Sequence, residues 1–155
     1  MKKFFTLAII LFTILTGSSQ ITGSAPLKYA EGVEIDVKSF INSKTTNYGN
    51  GTDHTLYIAK GGRFKTAQMK ISNNTSQDVD IDFQKIFLLD SKGNRYHVHA
   101  VAQGMKLVTT LEQYILKLKA GKSKTFTPEF WPPFPKGENV ERMEINGEIV
   151  ELKKG

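Results

Sequence analysis

The sequence predicts an all-β protein built as an antiparallel β-sandwich of about seven to nine strands. Three observations support this prediction. Apolar and polar residues alternate over short stretches, turn-forming residues recur about every ten residues, and no stretch has the apolar spacing of a long helix. The chain contains no internal repeat. A β-barrel is the alternative architecture for the same pattern.

The strands are predicted from the two-residue period of side chains that alternate between the two faces of a sheet. Val33, Ile35 and Val37 show the period most clearly, because each is followed by a charged residue. In chain order, the predicted strands are residues 33–38, 56–58, 63–73, 79–83, 86–89, 96–100, 124–130, 143–145 and 149–152.

Turn residues separate these strands. Residues 73–76 and residues 90–94 are short polar segments, and the second carries Gly93, where a positive φ is easily adopted. Asn146-Gly147 is the strongest short-range hairpin signal in the chain. With a two-residue turn there, Met143 pairs with Val150.

Three segments are harder to interpret. Residues 42–53 are polar and rich in turn residues, and we expect a long loop or hairpin tip. Residues 107–118 fit a helical turn as well as a strand, and we favour extended or mixed structure. We expect residues 131–135 to lie outside any interior strand, because proline has no N–H to donate to a neighbouring strand.

Residues 1–19 have the three parts of a secretory signal peptide. A pair of lysines begins the segment, residues 4–15 form an apolar run, and small residues follow. We therefore predict cleavage between Ser19 and Gln20. A membrane anchor is the alternative, but a run of about 12 residues is shorter than the roughly 20 that a spanning helix needs.

The remaining chain divides into two predicted parts. Residues 20–31 carry Thr, Gly, Ser and Pro with little periodicity, and we expect a flexible leader. Residues 32–155 form a single domain, which is large enough for one core. Because the chain has no cysteine, it can form no disulfide and can carry no lipid on an N-terminal cysteine. We predict a secreted or periplasmic protein with no stable membrane anchor.

The charge of the chain is mildly basic. Its formal net charge of +6 falls to +4 when the two lysines of the signal peptide are removed. The basic residues are spread along the chain, whereas a nucleic-acid-binding protein concentrates them on one face among aromatic residues. We therefore predict no nucleic-acid partner. A solvated surface with some affinity for anionic envelope polymers accounts for this charge.

Three stretches of the chain form an ordered set. The first ends in an Asn-rich turn, the second contains Asp-x-x-Gly-x-x-Tyr, and the third is an Ala-Gly turn before a strand. They are residues 62–74, 87–96 and 118–123. This set resembles the telokin-like, immunoglobulin-fold extracellular domains of unknown function found in bacterial secreted and surface proteins. The resemblance implies an immunoglobulin-like sandwich, an extracellular setting and a role in binding or structural support, with no catalytic residue.

Histidines supply the candidate metal ligands. His97 and His99 lie two residues apart on a predicted strand, so both side chains are expected on one face, with Tyr96 and Val98 turned inward. His54 is the only other histidine and would be the third ligand. The alternative is that His97 and His99 are polar residues on a solvent-facing surface.

Two further sets of residues are candidates for binding. Trp131 and Phe134, among three prolines, form a stiff aromatic segment that could stack on sugar rings or contact a partner. The alternative is that Trp131 closes one end of the core while the prolines protect a sheet edge. Asn47, Tyr48 and Asn50 form the second candidate surface, because loops on a rigid sandwich commonly carry recognition.

Sequence motifs for catalysis are missing. The chain contains no Gly-x-Ser-x-Gly, no His-Glu-x-x-His, no phosphate-binding loop and no thiol. We predict a protein that is not an enzyme and holds no cofactor. Its predicted function is that of a binding module of the bacterial cell envelope that recognises a protein or a polysaccharide. A metal-binding or metal-dependent hydrolytic protein is one alternative, and a purely structural role is another.

Overall fold

A computed structural model describes residues 18–20, 25–48, 55–104, 106–107 and 114–152. The described chain is almost entirely strand, all strand pairs are antiparallel, and the predicted β-sandwich is confirmed. The strands are β1 (Ser18–Gln20), β2 (Leu27–Ala30), β3 (Val33–Ser43), β4 (Thr45–Tyr48), β5 (Thr55–Ile58), β6 (Gly62–Asn73), β7 (Val79–Asp82), β8 (Ile86–Leu89), β9 (Arg95–Gln103), β10 (Lys106–Leu107), β11 (Ile115–Leu118), β12 (Ser123–Pro135), β13 (Arg142–Ile145) and β14 (Glu148–Glu151). One 3₁₀ turn, Phe83–Lys85, joins β7 to β8.

The described strands number more than the predicted seven to nine, because five short ones lie in segments predicted as signal peptide, leader, loop or mixed structure. These are β1, β2, β4, β10 and β11. Most of the others begin and end within a few residues of their predicted limits. No helix among the described residues is long and apolar enough to cross a membrane.

The main sheet has the strand order β1-β3-β6-β12-β9-β8-β13-β14, with β2 paired to β3 and β10 paired to β9. Buried side chains from both halves of this order belong to one hydrophobic cluster. The sheet therefore folds back on itself so that its two halves face each other. One contact joins the halves at one end, because Asn146 Nδ2 donates to the Tyr29 carbonyl at 2.7 Å. The Asp82 amide donates to the Tyr29 hydroxyl at 2.8 Å and so links β2 to β7, which pairs with β11 in a separate two-stranded sheet.

The predicted leader is too long, because its last part belongs to the domain. Leu27–Ala30 forms β2, which pairs with the start of β3. The side chains of Leu27 and Tyr29 are only 6% and 8% exposed. Strand β2 and its partner β3 are joined by a turn at Gly32, where φ is +68°. The described domain therefore includes residues that composition alone indicated to be flexible.

Strand β1 lies at the predicted cleavage site. Ser18–Gln20 pairs with the outer edge of β3 at Ser39, Phe40 and Ile41. Cleavage between Ser19 and Gln20 would leave one residue of this strand in the mature chain.

Residues 131–135 form the end of β12, which is an interior strand of the sheet, but none of these five residues is paired on both sides. β12 runs to Pro135 and pairs with β6 on one side and β9 on the other. Pairing with β9 ends at Trp131, and the register with β6 shifts between Phe130 and Phe134. Pro132 and Pro133 lie in that irregularity, so their missing N–H groups remove no hydrogen bond from the sheet.

Two local predictions are confirmed. Met143 pairs with Val150, and φ is 51° at Asn146 and 87° at Gly147, as a two-residue hairpin turn requires. Within the ambiguous segment 107–118, Ile115–Leu118 forms β11 and pairs with β7, which agrees with extended structure.

Candidate functional site

His97 and His99 both lie on the outer side of β9, with Tyr96 and Val98 buried on the other side, but the two histidines differ in exposure. In the pairing of β9 with β12, Phe130 lies opposite Val98 and Glu129 lies opposite Ala100, so His99 is an extra residue in a bulge. Residue 97 is exposed, whereas His99 is only 9% exposed. A neighbouring part of the chain covers the second imidazole.

That neighbouring part is the hairpin formed by β4 and β5. Thr46 and Tyr57 are paired directly across it, so their side chains lie on the same face. This face packs on the outer surface of the main sheet. We call the residues at this contact the hairpin cluster: Thr46, Tyr57, Phe64, His99, Glu129 and Trp131.

Trp131 is the centre of the hairpin cluster. Its ring lies nearly parallel to Phe64 and to His99, with centroids 5.4 Å and 5.2 Å away, and Tyr57 meets it edge-on at 5.3 Å. The partly buried indole therefore joins β5, β6 and β9 on the outside of the sheet. Neither sequence interpretation anticipated this position, because Trp131 neither closes the main core nor stands free for a ligand.

A partly buried carboxylate, that of Glu129, lies on the same face as the indole. Thr46 Oγ1 donates to Glu129 Oε1 at 2.6 Å, and His99 Nε2 is 4.0 Å from the same oxygen. Burial raises the pKa of Glu129, although the hydrogen bond from Thr46 opposes this shift. Burial also lowers the pKa of His99, and the nearby His97 lowers it further. Both shifts favour the neutral forms, so the cluster acts mainly as a packed support for the hairpin.

The opposite face of the hairpin presents apolar side chains outward. Leu56 and Ile58 lie two residues apart on β5 and are 56% and 63% exposed. Tyr57, between them, points to the cluster and is still 36% exposed. Strands β4 and β5 form a separate two-stranded sheet in the described chain. One face of the hairpin thus packs on the main sheet, and the opposite face exposes apolar side chains to solvent.

Several predicted site residues have other roles or positions. Phe134 is not a ligand-facing aromatic: it is fully buried and stacks on Tyr96 with ring centroids 3.7 Å apart. Phe134 lies four residues after the core residue Phe130, so the two-residue period of the strand places both side chains on the core face. Asn47 and Tyr48 belong to β4 instead of a loop, and their side chains lie outside the part that the structure describes. Asn50 and His54 are also outside the described residues.

Metal binding receives no geometric support from the described residues. Among them, no group of three His, Cys, Asp or Glu side chains is placed to hold a metal ion. His54 is outside the described part, so the histidine site stays a prediction.

The Asp-x-x-Gly-x-x-Tyr stretch forms a structural unit. Asp90 is completely buried and accepts hydrogen bonds from the amides of Lys92 and Asn94, from Asn94 Nδ2 and from the Tyr96 hydroxyl. Gly93 has φ +83°, which confirms the predicted turn. Burial alone would raise the pKa of Asp90, but the hydrogen bonds together lower it. Burial and the Asp90 carboxylate raise the pKa of Tyr96 to about 12.

Sequence reasoning missed the polar half of the hairpin cluster. Thr46 lies in a segment interpreted as a loop, and Glu129 is a charged residue on the outward face of a strand, which indicates a solvated side chain. The only available signal was the nearby Trp131, since a large aromatic side chain on an outward face needs something to cover it.

No family model and no curated protein matches this sequence. Two solved structures are similar to it. One is an uncharacterised β-sandwich protein from Clostridium difficile 630, with 12% identity over 93% of this chain and 100% of that chain and a TM-score of 0.49. The other is a functionally unknown protein from Listeria monocytogenes EGD-e, with 14% identity over 83% of this chain and 71% of that chain and a TM-score of 0.51. The likeness to the Listeria protein concerns the fold alone.

Proposed function

We propose that this protein is an exported, non-catalytic binding module of the bacterial cell envelope that recognises a partner protein through the outer face of the β4–β5 hairpin. The observation that carries the proposal is the exposure of Leu56 and Ile58, at 56% and 63%, side by side on that face. Exposed apolar side chains that lie together mark interaction surfaces, whereas single ones are common on any protein.

The chemistry of the hairpin favours a protein over a carbohydrate. Sugar recognition uses flat aromatic faces with polar groups at their edges. The Trp131 ring already stacks on Phe64 and His99, which leaves less of it for stacking on a sugar. The outward side chains are branched and aliphatic, and they lie on β5, which pairs only with β4 among the described strands. An extended segment of a protein could add to such an edge while packing on Leu56 and Ile58.

Two sequence features support the cellular setting of this proposal. Residues 1–19 have the composition of an export signal, and cleavage between Ser19 and Gln20 would release a chain without a lipid-bearing cysteine. The motif set that resembles telokin-like, immunoglobulin-fold extracellular domains favours the same setting. On this basis the protein is secreted or periplasmic, and its role is binding without catalysis.

The binding proposal is tested with a matched pair of surface variants. Leu56→Ser combined with Ile58→Ser removes the apolar outer face of the hairpin. Ile149→Ser is the control, because Ile149 is also 56% exposed but lies on β14. A protein cross-linked to the wild-type chain in an envelope fraction is identified, purified and titrated against each variant. We expect the double variant to bind about 10–100 times more weakly and the control to bind normally.

Equal affinity of the wild type and the double variant for the purified partner would show that the hairpin is not the binding surface. Capture of a polysaccharide that the double variant binds normally would support the carbohydrate alternative instead. The export proposal is tested separately by N-terminal sequencing of protein from the periplasm and the medium. A chain that keeps its first residues and remains in the cytosol would contradict it.

A further inference from the structure

Lys65 is a largely buried residue whose ammonium group makes no hydrogen bond or ion pair in the described part of the chain. The other buried polar side chains contact polar groups, and they are Thr46, Asn73, Asp90 and His99. Lys65 is 8% exposed, and its Nζ makes no hydrogen bond or ion pair with any described residue. Lys65 Nζ lies over the ring of Phe134, 5.5 Å from the ring centroid. The ammonium nitrogen is not among the buried, unpartnered polar atoms of the described residues, so it reaches solvent at the end of a buried stem, where a ligand could contact it.

The position of Lys65 places its amine at one end of the main core. Ala67, Met69 and Ile71 are core residues on β6, and Lys65 continues this series by the two-residue period of the strand. Phe64 points to the opposite face, where the hairpin cluster lies. The amine therefore belongs to a different surface from the proposed protein-binding hairpin.

Other polar groups converge on the same end. Asn42 lies directly opposite Lys65 in the pairing of β3 with β6, so its side chain is on the same face. Arg63 continues the Lys65 series toward solvent and is exposed. The Arg63 guanidinium donates to the Gly62 carbonyl at 2.9 Å, which holds it at the beginning of β6.

The floor beneath these groups is rigid. Phe134 is fully buried against Tyr96. The backbones of β6 and β12 approach so closely here that a side chain at position 62 would collide with the Phe134 carbonyl. The Lys136 amide also donates to the Gly61 carbonyl at 2.9 Å. The Lys65 ammonium thus lies over an aromatic ring that is held in place on both sides.

We propose that Lys65, Arg63 and Asn42 form a binding site for an oxyanion, a carboxylate or phosphate group, with the Lys65 ammonium as its principal counter-charge. The two cationic side chains of Lys65 and Arg63, two residues apart on one face of β6, supply opposite charge and charge-assisted hydrogen bonds for such a group. The direction of the Lys65 pKa agrees with this site. Burial lowers it, and the positive charge of Arg63 lowers it further, so a bound anion would relieve both effects.

The test titrates the mature protein with sodium phosphate and, separately, sodium acetate against sodium chloride at the same ionic strength and pH. Binding is measured from the melting temperature and from the NMR signals of the lysine ε-methylene groups. We expect saturable stabilisation and a rise in the pKa of Lys65 with at least one of the two anions. Saturation by phosphate alone assigns a phosphate ligand, and saturation by acetate alone assigns a carboxylate.

The variant Lys65→Met keeps the unbranched side chain and removes the charge, which a folded core tolerates well. We expect its affinity for the anion to fall at least about tenfold, since a charge-assisted hydrogen bond is lost. Lys117→Met is the control, because Lys117 is an exposed residue on β11. No saturable effect in the wild type, or an undiminished effect in Lys65→Met, would overturn the site. Because the wild-type NMR titration needs no variant, poor folding of Lys65→Met would leave the proposal testable.

Discussion

Asp90 shows how one residue can organise a turn from inside the protein. Its carboxylate is completely buried, and each of its hydrogen bonds comes from the six residues that follow it. Tyr96 brings its hydroxyl to this carboxylate while its ring stacks on Phe134. The turn, the beginning of β9 and the end of β12 therefore depend on one side chain.

We expect Asp90→Ala to lower the free energy of unfolding by about 3 kcal/mol, because several buried donors lose their acceptor. Urea unfolding at neutral pH measures this change. Asp80→Ala is the control, since Asp80 is exposed and should cost less than about 0.5 kcal/mol. Similar losses in both variants would contradict a special role for Asp90.

The lowered pKa of Asp90 has a further consequence for stability against acid. The stabilisation from its ionised form is complete above the ordinary pKa of 3.8 and is lost as the pH falls through the lower pKa of the folded state. We expect the difference in unfolding free energy between wild type and Asp90→Ala to shrink in that acid range. A difference that stays constant down to the lowest pH at which both chains fold would be evidence against this linkage.

At the scale of an element, the β4–β5 hairpin depends on a few contacts from one face. Tyr57 rests on Trp131, and Thr46 donates to Glu129. The hairpin makes no strand pairing with the main sheet in the described chain. Its order is therefore controlled by side-chain packing, and it should open more easily than the strands of the main sheet.

We expect Trp131→Ala to destabilise the protein by about 2 kcal/mol, less than a fully buried tryptophan, because the indole is only partly buried. Hydrogen exchange should accelerate most at the amides of β4 and β5. The amides of β13 and β14, far from the indole in the strand order, provide the internal control. Uniform acceleration throughout the chain would mean that Trp131 supports the whole sandwich and not the hairpin in particular.

Glu129 gives the hairpin an expected pH dependence. A carboxyl with a raised pKa favours the folded state when protonated, so this contribution is present below the ordinary pKa of 4.5 and is lost as the pH rises through the raised value. Glu129→Gln can still accept from Thr46 but carries no charge. We expect it to be at least as stable as wild type at pH 7. A clear loss of stability there would show that the charge itself is needed.

At the scale of the whole molecule, β2 and the β13–β14 hairpin close the sandwich. Tyr29 accepts at its carbonyl from Asn146 and contacts the backbone of β7 through its hydroxyl. Leu27 and Tyr29 also bury their side chains in the common core. Residues that precede the predicted domain therefore help to hold its two halves together.

We expect a chain that begins at Ser24 to be as stable as the mature protein, and a chain that begins at Gly32 to lose about 3 kcal/mol or more. The loss reflects the removal of two buried side chains and a strand. Urea unfolding of the two truncated chains measures this difference in the free energy of unfolding. Equal stability would mean that β2 adds little to the fold and that residues 20–31 behave as the predicted leader.

Much of the sandwich could be predicted because its signals are local. The alternation of Val33, Ile35 and Val37 identifies a buried face within one strand, and all three side chains are buried. Asn146-Gly147 specifies a two-residue hairpin through its own backbone preferences, which the observed positive φ angles satisfy. Neither inference needs knowledge of any distant residue.

The candidate sites could not be predicted in the same way, because they depend on the register between distant strands. The bulge at His99 exists only in the pairing of β9 with β12, and the β4–β5 hairpin covers a side chain that alternation placed on the surface. Phe134 reaches the core because β12 continues past the prolines, through an irregularity in its pairing with β6 after Phe130. Neither irregularity in strand pairing can be predicted from the residues next to it in the sequence.

The sequence by itself determined an all-β chain, the approximate limits of most strands and two of its tight turns, since these follow from side-chain period and local backbone preference. Tertiary structure alone decided that Leu27 and Tyr29 join the core, that the β4–β5 hairpin rests on Trp131, and that Lys65 is buried at the end of the sandwich. The physical reason is that burial is a property of which strands lie together, and the sheet brings together residues that are far apart in the chain.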